Sequence, residues 1–127
     1  MNTRNIGSYY EDAVTAYLLN EGVKILNRNV RCGRIGEIDI IGLEEASGMN
    51  TEMLRDSEAA QTLIFFEVKY RKDRSHGYPA EAVDEKKQNR IRKCAEYYLA
   101  YKKINAYIRF DVIAVEGEEI NWYKNAF

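Results

Sequence analysis

The stretches Gly36-Glu37-Ile38-Asp39-Ile40-Ile41 and Leu63-Ile64-Phe65-Phe66-Glu67-Val68-Lys69 decide how this chain reads. Both are short, rich in β-branched and aromatic residues, and carry charges at alternate positions, which is the pattern of strands. Successive side chains of a strand point to opposite faces. Glu37 and Asp39 are therefore expected on one face, as are Glu67 and Lys69, with Ile38, Ile40, Phe66 and Val68 filling the other. Carboxylates set into an apolar sheet are costly unless they are paired or bind a cation. A divalent metal is the simplest compensating partner. A cross-strand salt-bridge lattice, worth about 0–1 kcal/mol per pair, is the competing reading.

Outward from these strands, residues 8–21 predict an amphipathic helix. Tyr10, Ala13, Val14, Tyr17 and Leu18 recur at three- and four-residue spacing, Ser8 and Glu11 fit a capping box, and Gly22 ends it. Val23 to Val30 reads as a first strand, Ile35 to Leu43 as the second and Leu63 to Tyr70 as the third, a meander. Residues 84–103 predict a long second helix with Ile91, Ala95, Tyr98 and Leu99 on one stripe. Arg109 to Val115 predicts a buried strand and Ile120 to Tyr123 a short edge strand, so the order is αβββαβ(β). Residues 44–62 are polar and weakly periodic, with a turn signal at Ser47-Gly48. They read as a polar loop insertion between strands two and three, with Leu54 available for a partner contact.

A chain of 127 residues with one proline, 46% hydrophobic and 31% charged, is expected to form a single domain of the α/β class, 1–127, with its own core. The N-terminus has no apolar signal segment and no apolar run would span a bilayer, so a cytoplasmic protein with no membrane partner is expected. Cys32 and Cys94 match no zinc-ligand spacing and are expected to be reduced and structural. Net charge is −1, which alone argues against bulk electrostatic binding of nucleic acid. The distribution argues the other way: residues 69–93 hold nine Lys or Arg against four Asp or Glu. That basic segment starts at the last charged residue of the third strand, where phosphate contacts would be useful.

Asp39, then Glu67-x-Lys69 on the next strand, after a helix bearing Glu11, resembles the active site of the PD-(D/E)XK nucleases, and most of all the archaeal Holliday junction resolvases among them. Nearly the whole chain also resembles the small bacterial YraN-like proteins assigned to that fold. The matching pieces are Gly7-x3-Glu11-x-Ala13-x3-Tyr17-Leu18, Asn27-Arg28-Asn29-x-Arg31, the two strand motifs extended to Arg71, Lys87-x2-Arg90-Ile91 and Arg109-Phe110-Asp111-Val112-Ile113. The resemblance implies a restriction-endonuclease-like fold, a mixed central sheet flanked by helices. It also implies a shorter connection between strands two and three than this chain has.

The resemblance further implies a catalytic set of Glu11, Asp39, Glu67 and Lys69. Mg²⁺ or Mn²⁺ would be held by Asp39, Glu67 and the carbonyl of Val68. Lys69 would activate water or meet charge on the phosphate. Glu37 is an alternative ligand or an ion-pair partner for Arg71. Arg71, Lys87 and Arg90 are candidate phosphate contacts, with Lys72 and Arg74 weaker ones, although charged helix faces are usually just solvated. Asp111 points to the site or pairs with Arg109 or a helix cation, pairing being preferred. His76 reads as a surface residue. Of the ten tyrosines, Tyr10, Tyr17 and Tyr98 read as core, and none is assigned to binding.

The expected function is a metal-dependent endonuclease acting on DNA, including structured or branched DNA in replication or repair. Cutting both strands takes two sites, which a homodimer would supply. The alternatives are a non-catalytic nucleic-acid-binding module of the same fold and an accessory protein-interaction domain.

Overall fold

The computed structural model describes residues 3–45, 61–71 and 83–127, with no side chains described for residues 3–8. Leu54, Lys72, Arg74 and His76 lie outside the described residues. The elements are α1 (Thr3–Asn20), β1 (Lys24–Cys32), β2 (Gly36–Glu45), β3 (Gln61–Arg71), α2 (Glu85–Lys102), β4 (Tyr107–Glu116) and β5 (Glu119–Tyr123). The five strands form one mixed sheet in the order β1-β2-β3-β4-β5. Neighbours are antiparallel except β3 and β4, which are parallel and joined through α2. This is the predicted element order.

The helices cover opposite faces. Val14 and Leu18 of α1 pack on Ile40, Ile64, Phe66, Ile113 and Val115. Ile91, Cys94, Ala95 and Tyr98 of α2 pack on Ile38, Ile41, Leu63, Phe65 and Val112. The sequence stripes of both helices thus meet alternate residues of the same strands, which gives three layers. Gly42 is required by this packing, because a Cβ there would stand 2.6 Å from Val23 Cγ1 and 3.0 Å from Phe66 Cε2. At the end of α1, Gly22 takes φ 91° and the chain reverses through Val23 N–H donating to Leu18 C=O. Helix α2 starts at Asp84, whose carboxylate accepts the Lys87 N–H at 2.8 Å, and ends at Lys103 in the left-handed region.

Four expectations need correction. Helix α1 begins at Thr3, so Ser8 and Glu11 lie inside it and make no capping box. Once nucleated, a helix extends at little cost through a first turn that carries no apolar stripe. Cys32 and Cys94 are not reduced: they form a disulfide between the end of β1 and the middle of α2, with Cα atoms 5.5 Å apart. The residues they join are 62 apart in sequence, and closing a loop of that length contributes about 4 kcal/mol on the chain-entropy account. The strands on either side of the loop are longer than expected, for Glu44 pairs with Thr62 and Glu45 with Gln61. Residues 46–60 of the 44–62 insertion lie outside the described residues. Finally, Ile38 and Ile40 do not share a face, since Ile38 packs under α2 and Ile40 under α1.

Candidate active site

The last correction marks the site. Between the pairs Arg28↔Ile40 and Val30↔Ile38 stand Asn29 and Asp39, and Asn29 takes φ 52° inside the strand. Asn is one of the few residues that tolerates this conformation. On the other side of β2, pairing with β3 stops at Ile40↔Phe66, although β3 stays paired with β4 as far as Arg71. The two strands therefore part at Asp39 and Glu67. Asp39 reaches across the gap and its Oδ2 accepts the Val68 N–H at 2.8 Å, replacing the missing ladder contact.

Glu67 is 5% exposed, and its Oε1 meets Lys87 Nζ at 2.5 Å and Lys69 Nζ at 3.6 Å. Asp39, Glu67, Glu37, Lys87, Arg90 and Arg34 are among the residues that line one cleft of about 610 Å³. Glu11 stands at its edge. The Asn29 amide, with its nitrogen turned toward them, donates to Glu11 Oε1 at 2.9 Å and to the exposed Glu37 at 3.3 Å. Beside Asn29 on β1, Arg28 pairs with Asp12 of α1 at 2.8 Å, which docks that helix beside the strand.

The charges disturb one another. Burial, with the Glu67 carboxylate next in importance, pushes Asp39 up to about 7 against the pull of the Val68 N–H and of Lys87. Burial lifts Glu11 as well, helped by Glu37 and opposed by Arg28 and Asn29. Burial and the nearby Lys87 ammonium lower Lys69. Burial would lower Lys87 too, but its contact with Glu67 outweighs that and holds it above its ordinary value. Two half-satisfied carboxylates and two lysines competing for one of them form a site short of positive charge at Asp39.

The structure thus brings together Asp39, Glu67, Lys69 and Lys87, with Glu37 and Arg90 on the cleft wall and Glu11 at its edge. Val68 contributes its N–H to Asp39, while its side chain packs on the α1 side. Lys87, expected on phosphate, is instead paired with Glu67. Arg71 is at the far end of β3, in register with Glu116, and its C=O accepts the Gly117 N–H. Sequence reasoning missed Asn29 as the bridge between Glu11 and Glu37. Its position in the Asn27-Arg28-Asn29 motif was the available signal.

Asp111 does not join the site. It is fully buried and accepts Arg109 Nε at 2.9 Å, Trp122 Nε1 at 2.8 Å and the Asn125 N–H at 2.8 Å, so the preferred pairing is the observed one. Arg109 also reaches Glu44 at 3.5 Å.

A mixed five-stranded α/β sheet with an acidic and basic cleft where two strands part defines the class. The chain belongs to uncharacterised protein family UPF0102, whose profile matches residues 10–115. It is 44% identical over 126 residues to a UPF0102 protein of Fusobacterium nucleatum, covering 98% of this chain and 92% of that one. It is 39% identical over 132 residues to one of Methylibium petroleiphilum, covering 100% and 97%. A UPF0102 protein of Caldicellulosiruptor saccharolyticus is 37% identical over 134 residues, with both chains covered in full. Among the described residues, no helix is long and apolar enough to cross a membrane.

Proposed function

We propose that this protein is a metal-dependent endonuclease of the restriction-endonuclease-like fold, cleaving DNA phosphodiester bonds at the cleft between β2 and β3. The observation that carries the reading is the convergence of Asp39 and Glu67 where the strands part, with Lys69 two residues beyond Glu67 on the same face. The donor set suits Mg²⁺ or Mn²⁺. Asp39 has one oxygen committed to Val68 and Glu67 has one committed to lysines, which leaves a second oxygen on each. Among the described residues no group of three or more His, Cys, Asp or Glu could hold an ion. Two carboxylate oxygens would be enough for Mg²⁺, which takes few protein oxygens and keeps several waters.

When bound, such an ion supplies charge to the phosphate and acidity to a water. Asp39 and Glu67 would hold it, and Lys69, which burial and Lys87 hold below its ordinary value, would orient the attacking water or steady charge developing on phosphate. Glu11, tied to the cleft wall through Asn29, would order the water shell. Lys87 would exchange Glu67 for a phosphate oxygen once the carboxylate is engaged.

The test is cleavage of labelled single-stranded, duplex, flap and four-way-junction DNA with Mg²⁺ or Mn²⁺, beside Lys69→Ala. Cutting that the variant loses while still binding DNA supports the reading. No cutting of any substrate, with binding unchanged, overturns it. One observation favours the second reading, a non-catalytic nucleic-acid-binding module: Lys87 already neutralises Glu67 more closely than Lys69 does. That reading predicts steeply salt-dependent binding that Glu67→Ala leaves unaltered.

A further inference from the structure

The cleft continues beyond the residues just assigned. Arg34, Ile35 and Arg90 line it and also line an adjoining groove that adds Lys86, Asn89 and Lys93. Ile35 then borders a third cavity of about 460 Å³, walled by Val30, Tyr97, Tyr98 and Tyr101 with Arg31 at its rim. Along α2, Lys86, Arg90, Lys93, Tyr97 and Tyr101 follow each other at spacings of three and four, so they form one stripe. At 1.5 Å per residue the stripe is about 22 Å long. It begins at the catalytic cleft with cations and ends with aromatic rings.

Nothing in the packing requires those residue types there. Tyr98 is the structural tyrosine: it is 7% exposed and donates to Asn27 Oδ1 at 2.6 Å, forming the floor. Tyr97 and Tyr101, by contrast, are 61% and 82% exposed. Arg34, Lys86, Arg90 and Lys93 are exposed, and among the described residues none of them is held in an ion pair. Among the described residues, Glu96 is the one acidic side chain lining the basic groove. The partner must therefore be a polyanion that also presents flat apolar faces.

We propose that this groove binds a single-stranded stretch of nucleic acid, with its phosphates along Arg34, Lys86, Arg90 and Lys93 and a base stacked in the tyrosine cavity. A duplex satisfies the cations but hides its base faces in its own stack. An unpaired strand offers both, because every base has a face for an aromatic ring. A track of about 22 Å suits the short end of single-strand site sizes, about four nucleotides. The placement beside Asp39 and Glu67 rests on the nuclease reading and gives its substrate class: DNA with unpaired nucleotides next to the bond to be cut. The binding itself does not depend on cleavage.

The test is fluorescence anisotropy in EDTA with labelled twelve-nucleotide oligothymidylate, the matching oligouridylate, and a duplex of equal length. The single strands are expected to bind more tightly than the duplex, and the tighter of the two names the sugar. Tyr97→Ala with Tyr101→Ala, at exposed positions where folding is not at stake, is expected to weaken single-strand binding about 10-fold or more, with Tyr97→Trp retaining it. Lys86→Gln, Arg90→Gln and Lys93→Gln together are expected to reduce the logarithmic salt slope by about 2. Wild-type affinity for single strands in the folded double tyrosine variant, or a wild-type preference for duplex, overturns the proposal. Tyrosine-dependent single-strand binding by a protein that never cleaves upholds the groove and sinks the nuclease reading. Cleavage that is indifferent to the tyrosines does the reverse.

Discussion

Asp111 and Asp39 are set into the same sheet at almost the same level, because Phe66 of β3 pairs with Asp111 on one side and with Ile40, the neighbour of Asp39, on the other. Asp111 is enclosed by donors from β4, β5 and the C-terminal turn, and its charge is matched by Arg109. Among the described residues Asp39 has the Val68 N–H as its one hydrogen-bond donor, and burial together with the facing Glu67 carboxylate lifts it to about 7. A buried acid that the fold has finished satisfying is part of the framework. One that the fold leaves half satisfied, in an open cleft, is poised to meet a ligand.

The comparison is sharpest in stability. Asp111→Asn leaves the Arg109 guanidinium largely uncompensated in the sheet and is expected to cost about 3–5 kcal/mol, measured by urea denaturation at neutral pH. Asp39→Asn should act in the opposite direction. A carboxyl raised in the folded state binds its proton more tightly there than in the unfolded chain, so it weakens folding as pH climbs from its ordinary value toward about 7. The variant should match the wild type below about pH 4 and exceed it above pH 7 by the order of 2–4 kcal/mol. Parallel denaturation curves across that range would reveal this. Equal pH profiles would break the distinction between the two acids. The smallest effect belongs to the edge of the Asp111 cluster: Glu44→Gln removes a half-exposed partner 3.5 Å from Arg109 and should cost no more than about 1 kcal/mol.

The sequence made the framework legible where one residue's pattern sufficed. Alternation in β3 put Glu67 and Lys69 on a common face, and helical spacing put Ile91, Ala95 and Tyr98 on the core side of α2. What escaped was decided by distant partners. The disulfide joins residues that no local pattern relates, and the break in alternation at Asp39 depends on Asn29 taking a left-handed conformation on the neighbouring strand. Strict alternation was the wrong guide at the one place where β2 leaves β3. The role of Lys87 depended on how α2 packs over the sheet, so the sequence suggested a phosphate contact where the fold places an ion pair with Glu67. Asp111, near Arg109 in an apolar strand, was legible as a paired acid, but its further donors Trp122 and Asn125, which come from outside its strand, were not.

The most direct measurement is calorimetric titration of the protein with Mn²⁺ and Mg²⁺, comparing the wild type with Asp39→Asn and, as the framework control, Glu44→Gln. The account predicts one binding event in the wild type and in Glu44→Gln, abolished in Asp39→Asn. Binding of equal strength in all three, or in none, would contradict the claim that the cleft between β2 and β3 is a metal-dependent centre.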